Sequence, residues 1–229
     1  MKHTETELLE LKTAISQMWS LVQSQLEKAK TALLAGDEEL ARVVMSREKR
    51  VNAFELKIDS DCENYIALFS PVAIDLRLVL SVLKINKTLE RIGDFADGIA
   101  RFVLETDDHA KHIELLKSLH VEEMVSCVAQ MLEKDKSALV DENTAQAGVV
   151  FTIDNQIDTI YYDAIKILAD YLAEHPEDIL FGLHVVTLLR KVERMGDHCN
   201  NIMEELVFYL DAKVLKHQKS KDNLKDENE

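Results

Sequence analysis

The sequence predicts an all-α chain made of two tandem, pseudo-symmetric three-helix bundles. Three observations lead there. The pentapeptide Glu90-Arg91-Ile92-Gly93-Asp94 returns as Glu193-Arg194-Met195-Gly196-Asp197, 103 residues later. Only 6 Gly and 2 Pro occur in 229 residues, so strand and turn formers are scarce while Leu, Ala, Glu, Lys and Ile abound. The few breaking signals cut the chain into stretches of about 30 residues, each a helix of roughly 45 Å.

The elements follow from that punctuation. Thr4 with Glu7 has the form of a capping box, opening a first helix over 4–35. Gly36-Asp37 closes it and caps a second over 37–69. Ser70-Pro71 reads as an N-cap followed by Pro at the first helical position, starting a third over 71–104. Thr106-Asp107-Asp108 separates the halves, and a fourth helix runs over 107–141. Asn143 with Gln146 is a second capping-box candidate, for a fifth over 143–174. His175-Pro176-Glu177-Asp178 places Pro and two acids at the start of a sixth, over 176–212. Short connections make neighbours antiparallel. The expected organisation is one bundle over 1–105, a second over 106–212, and a disordered polar tail over 213–229.

The duplication extends beyond the pentapeptide. Val82, Ile85, Leu89, Ile92, Ala96, Ile99 and Val103 alternate steps of three and four, as do Val185, Leu188, Val192, Met195, Cys199, Ile202 and Leu206. Each set is one apolar seam on a helix. At about 100° per residue, Glu90, Asp94, Glu193 and Asp197 fall nearly opposite their seams, so these carboxylates are expected to face away from their own core. A glycine inside each helix costs roughly 1 kcal/mol relative to alanine, so its recurrence asks for a reason. On the middle helices, Glu48-x-x-x-Asn52 precedes the first hinge and Asp154-x-x-x-Asp158 the second. The first pair is centred 20 residues before its hinge and Glu90/Asp94 are centred 22 after it; in the second half the counts are 19 and 20. Equal counts in an antiparallel hairpin mean equal height. Glu48, Asn52, Glu90 and Asp94 therefore share one level, and Asp154, Asp158, Glu193 and Asp197 another. Four oxygen-bearing side chains at one level suit a hard cation, and iron, zinc, manganese or magnesium, divalent or trivalent, are all compatible.

Composition removes several function classes. The net charge of −15 argues against nucleic acid, whose phosphates need clustered Lys and Arg, and against an anionic membrane surface. The amino-terminal MKHTETELLE lacks the apolar core of a signal peptide, and no apolar run approaches the length of a membrane span. Cys62, Cys127 and Cys199 show no C-x-x-C spacing and read as reduced core residues of a cytoplasmic protein. Trp19 and Phe54 read as core. His109, His112 and His120 are expected to be exposed polar helix residues, and His198 either a hydrogen-bond donor behind a metal ligand or a surface residue. Arg91 and Arg194 stand beside acids and read as ion-pair partners or as phosphate contacts, ion pairs being the simpler reading. There is no nucleophile constellation, no phosphate-binding Gly-rich loop and no Glu-x-x-His pair.

The doubled motif resembles that of the PhoU family, accessory regulators of bacterial phosphate uptake. The family pattern P-x-A-x-D-L-R, then E-R-I-G-D, then x-A-x-N-I, is matched by Pro71-Val72-Ala73-Ile74-Asp75-Leu76-Arg77 with Glu90–Asp94, and by Glu193 through Ile202. The family's acid-x-x-x-Asn/Asp maps onto Glu48/Asn52 and Asp154/Asp158. The match spans residues 1–212, with Gly98 where the pattern has Asn and Glu48 where Asp is commoner. The resemblance implies a cytoplasmic two-bundle protein, a homodimer, with multinuclear metal sites on its surface. It implies a negative regulator of the phosphate-starvation response that modulates phosphate uptake. Its partners would be the ATPase subunit of the phosphate transporter and a sensor histidine kinase. Asp75, Arg77, Arg91 and Arg194 are then the candidates for contacting a partner, and no catalytic residue is expected.

Two other readings compete. A metal-dependent enzyme could use the carboxylate clusters, but it needs an enclosed pocket and a general base near the metal. A purely structural helical scaffold would leave the acids merely solvated.

Overall fold

The computed structural model describes the backbone of residues 2–106 and 109–215, and the side chains of 4–106 and 111–215. Among the described residues the regular structure is helical throughout: α1 (Lys2–Ala35), α2 (Glu38–Phe69), α3 (Ala73–Glu105), α4 (His109–Ser118), α5 (Val121–Val140), α6 (Ala147–Glu174) and α7 (Ile179–Asp211), with a 3-10 turn at Pro176–Asp178. Asp107, Asp108 and residues 216–229 lie outside the described residues, and Lys213–Leu215 are not helical.

The first joint forms as expected. Gly36 is left-handed (φ 64°), and Asp37 Oδ1 accepts a hydrogen bond from the amide of Leu40 at 2.9 Å. The other joints differ. The first helix already begins at Lys2, so Thr4 and Glu7 lie inside it and cap nothing. Ser70 ends α2 rather than starting α3: it is left-handed (φ 47°) and its amide donates to Ile66 O. The proline ring of Pro71 disfavours right-handed helix at the residue before it, which is why the chain turns at Ser70 and α3 starts only at Ala73. Asn143 Oδ1 accepts from the amide of Ala145 at 2.8 Å, a local turn, while Gln146 Oε1 accepts from Lys134 Nζ at 3.2 Å, so no capping box forms. Pro176 does start a helical turn, but a 3-10 one that hands over to α7 at Ile179.

The largest departure is in the fourth helix, which breaks at His120 (φ 54°). Leu115, Leu116 and Leu119 form a buried seam up to the break, and Val121, Met124, Val125 and Val128 resume it after. Continuing a straight helix would bring Glu122 and Glu123 onto that seam and swing Val121 off it. One left-handed residue resets the phase, buries Val121 and leaves the two acids in the first turn of α5, where the helix dipole favours them.

α1, α2 and α3 pack together, as do α5, α6 and α7. The halves join through antiparallel α3 and α7, and through α1 against α5. Ser81 Oγ donates to Glu205 O at 3.0 Å and Arg77 Nε to Tyr209 O at 3.0 Å, tying α3 to the end of α7. Trp19 is fully buried and its Nε1 donates to Leu132 O at 3.1 Å, tying α1 to α5. Phe54 packs at the margin of the core, and the three cysteines are buried and unpaired.

Candidate functional site

The recurrent glycines explain how the carboxylate pairs are brought level. A methyl group at Gly93 would meet Val51 Cγ1 at 3.4 Å; at Gly196 it would meet Asp154 Oδ1 at 2.9 Å and Ile157 Cδ1 at 3.0 Å. Val51 lies between Glu48 and Asn52, and Ile157 between Asp154 and Asp158. In each half, therefore, the middle of the α2 or α6 pair faces the glycine of the α3 or α7 motif. In the second half the glycine leaves room for a carboxylate oxygen.

Charge follows the same geometry. Desolvation raises the pKa of Glu90, and the charge of Asp94 adds to it. Asp94 is raised by desolvation and then by Glu48, against the opposing pull of Arg91. Glu193 is raised by desolvation, then by Asp197 and Asp158, with Asp154 contributing further. The oxygens of each quartet thus share a repulsive field. Asn52 Oδ1 is buried and, among the described residues, has no hydrogen-bond partner. Glu90 Oε2 is buried in the same way; Lys87 Nζ stands 3.5 Å from it, close enough for attraction but not for a hydrogen bond. Such acceptor-only groups fit a hard cation. Among the described residues no three His, Cys, Asp or Glu side chains are gathered closely enough to grip an ion as they stand. Each quartet is a set of oxygens in one field, not a closed coordination shell.

Exposure corrects the picture of four outward-facing carboxylates. Asp94 and Asp197 are exposed, but Glu90 and Glu193 are half-buried between helices. Asp154 is only 2% exposed, and its Oδ2 accepts a hydrogen bond from Asn200 Nδ2. Sequence reasoning passed over Asn200, its repeat counterpart Asp97, and Glu55. Asp97 is buried, accepts from Arg101 Nε at 2.7 Å and raises the pKa of Asp94. Glu55 accepts from Lys87 Nζ at 2.6 Å and presses on Glu90. The signal was there: 48, 52, 55 and 90, 94, 97 both step by four and three along one helix face.

The remaining candidates divide. Asp75 lies in the first turn of α3, and its charge adds to the desolvation that raises the pKa of Tyr65. Arg77 is half-buried and clasps α7, as described above. Arg91 is exposed and, among the described residues, forms no salt bridge; Arg194 forms none either and lies over the ring of Phe95, 5.7 Å from its centroid. The expected ion pairs do not form at contact distance among the described residues, although the charge of Arg91 still acts on Asp94. His112 is not exposed: it is 6% accessible, stacks on Phe181 at 3.7 Å and stands 3.6 Å from Asp178 Oδ1. His120 sits at the helix break and pairs with Glu123 at 3.3 Å, while the side chain of His109 is outside the described residues. His198 is half-buried and faces α3, stacked on Phe95, so it does not stand behind Asp197.

Comparison with known proteins bears on the family and the fold. The PhoU domain model matches twice, over residues 15–103 and 121–206. The chain is 35% identical to the phosphate-specific transport system accessory protein PhoU of Edwardsiella tarda, over 94% of this chain and 89% of that protein. It is equally 35% identical to the Escherichia coli K12 protein of that name, over 92% and 86%. The crystal structure of PhoU from Pseudomonas aeruginosa superposes with a TM-score of 0.82 at 30% identity, covering 91% of this chain and 99% of that one. The phosphate transport system regulatory protein PhoU from Streptococcus pneumoniae gives 0.83 at 29%, covering 93% and 99%. With two copies of the domain, each carrying its glycine opposite a carboxylate-bearing middle helix, this chain belongs to the PhoU family.

Proposed function

We propose that the chain is a non-catalytic regulator of phosphate transport that holds hard metal ions on its two oxygen quartets. Glu48, Asn52, Glu90 and Asp94 would hold one set, and Asp154, Asp158, Glu193 and Asp197 the other. It acts in the cytoplasm as a homodimer, docking to the ATPase subunit of a phosphate transporter and to a sensor histidine kinase. In phosphate-rich conditions it restrains the starvation response. The observation that carries the metal reading is the duplicated apposition of Val51 to Gly93 and Ile157 to Gly196, which brings oxygen ligands level in both halves. The regulatory reading is supported by relatives named as accessory and regulatory proteins of phosphate transport. Among the described residues no helix is long and apolar enough to cross a membrane, so docking to a membrane transporter would run through protein contacts. The −15 charge favours basic partner surfaces and makes docking salt-sensitive.

Two measurements test this together. Protein purified without chelators is analysed for metal beside the combined Asp94→Ala and Asp197→Ala variant, which should carry much less. Deletion of the gene should raise alkaline phosphatase or transporter expression in phosphate-rich medium. Equal metal in both proteins removes the quartets as the site. Unchanged expression, with neither partner recovered in a pull-down, removes the regulatory role.

A further inference from the structure

Two grooves run along the α3–α7 seam, one on each side of the Phe95–His198 stack. The first, about 330 Å³, is lined by Lys84, Lys87 and Arg91 of α3 and by His198, Asn201 and Glu205 of α7. The second, about 530 Å³, is lined among others by Gly98, Phe102, Thr187 and Lys191. Adding 103 to Lys84 and Thr88, which line the first groove, gives Thr187 and Lys191; subtracting it from Asn201 and Glu205 gives Gly98 and Phe102. The two grooves are thus repeat counterparts, and they have diverged. The second adds Leu180 and Leu183, which are 70% and 60% exposed. The first carries three cations, Lys84, Lys87 and Arg91; the second has Lys191 and Arg101, the latter paired with Asp97.

We infer that the Lys84–Arg91 groove is a binding site for a small phosphate-class oxyanion. Lys84, Lys87 and Arg91 follow one another at steps of three and four, so all three cations project from one face of α3. Lys84 Nζ reaches Glu205 Oε2 at 2.9 Å and Lys87 Nζ reaches Glu55 Oε1 at 2.6 Å. An ammonium has three donors, so each keeps capacity for a ligand. Arg91 has five N–H donors and, among the described residues, no salt bridge. Across the groove, His198 Nε2 is buried and, among the described residues, has no hydrogen-bond partner; an unmet polar atom of that kind is costly unless something satisfies it. The Asn201 side chain is exposed at the same rim. Guanidinium, ammonium and amide donors converging from two helices match an oxyanion with several acceptor oxygens and more than one negative charge. Glu205 sets a threshold: a monoanion gains little against it, whereas a dianion or trianion does better. The groove borders the first quartet, because Lys87 Nζ stands 3.5 Å from Glu90 Oε2, so its anion binding is tested on metal-free protein.

The test is calorimetric titration of chelator-treated protein, so that phosphate cannot bind through a metal. The probes are inorganic phosphate and pyrophosphate, with chloride at matched ionic strength as the blank. Saturable binding of at least one probe is expected. Arg91→Met should weaken it at least tenfold, and Lys84→Met further. Lys191→Met, in the counterpart groove, should leave it unchanged. Arg91 is exposed and, among the described residues, forms no salt bridge, so its variant should fold even if Lys84→Met, which removes an ion pair of the buried Glu205, does not. Phosphate binding tighter than the more highly charged pyrophosphate supports the free ion as the ligand, and pyrophosphate binding tighter supports a groove that also takes phosphoanhydride groups. Absence of saturable binding by either probe, or an Arg91→Met protein that binds like wild type, overturns the inference.

Discussion

The ring of His198 stacks on the ring of Phe95, with centroids 5.6 Å apart and planes at 24°, and the two residues occupy the same place in the two repeats. A residue that touches its own repeat counterpart marks the axis relating the halves. Antiparallel α3 and α7 cross there, and the guanidinium of Arg194 lies over the Phe95 ring. The axis is also where the repeats differ most in chemistry, because one position carries a hydrocarbon ring and the other a titratable one.

Burial, with Arg194 and Arg91 adding repulsion, brings the pKa of His198 down to about 4. The unfolded chain protonates this residue near 6.5, so between those values the unfolded state binds more protons and stability falls as the pH is lowered. Above 6.5 the ring is neutral in both states and the penalty is absent. Since His198 is partly open to solvent, the loss by pH 4 should be on the order of 1–2 kcal/mol. His198→Phe should remove that part of the acid sensitivity. Denaturant melts of both proteins at pH 7 and 4.5 check it; parallel losses in the two would refute it.

The two glycines of the repeated motif should respond differently to alanine. Gly196→Ala drives a methyl against Oδ1 of Asp154, whose Oδ2 accepts from Asn200, and against Ile157. Overpacking of this kind costs about 1–3 kcal/mol. Gly93→Ala meets only ordinary contact with Val51 and gains roughly 1 kcal/mol of helix propensity. Thermal melts should show the first variant destabilised and the second neutral or stabilised.

That asymmetry also shows what the sequence could and could not reveal. The seam from Val82 to Val103 and its copy from Val185 to Leu206 follow a period that any helix must obey, so α3 and α7 were legible. The level of Glu48/Asn52 and Asp154/Asp158 followed from counting residues to the hinges. The burial of Asp154 did not, because it depends on the close approach of α6 to α7 that Gly196 permits. Arg77 looked like a free surface cation because its partner, the carbonyl of Tyr209, is a backbone group 132 residues away with no signature of its own. His112 looked exposed because Phe181, which covers it, comes from the other end of the second half. The break at His120 lay inside the single helix expected over 107–141, although Glu122 and Glu123 fall on the apolar seam of any unbroken helix there.

The break at His120 carries its own prediction. A non-glycine residue in left-handed geometry costs roughly 1–2 kcal/mol, and His120 makes no side-chain cap. Its contact with Glu123 joins two exposed side chains and contributes little. His120→Gly should therefore stabilise the chain by about 1 kcal/mol, a rise in Tm of roughly 2–4 °C. A fall in Tm on differential scanning calorimetry would mean that the histidine side chain, and not the backbone angle, holds the joint.

Metal and stability should be linked through the quartets. Glu90, Asp94 and Glu193 all have raised pKa values, with desolvation first among the causes and neighbouring carboxylates next. A carboxylate whose folded pKa lies above its unfolded one favours the fold below the unfolded value, and that advantage is lost as the pH rises through the folded value. At neutral pH the metal-free protein therefore carries uncompensated repulsion in both halves. A bound cation reverses the sign of that field. At a hundredfold excess over its Kd it adds about 2.7 kcal/mol, a rise in Tm of roughly 5–10 °C. Neutralising one acid should act in the same direction without metal, so Glu193→Gln should raise the Tm of chelator-treated protein at pH 7. The same substitution removes a ligand, so manganese or iron should then raise the Tm of the variant less than that of wild type. Scanning calorimetry of both proteins, with and without metal, reads all four values. A variant that gains as much from metal as wild type does would place the ion elsewhere.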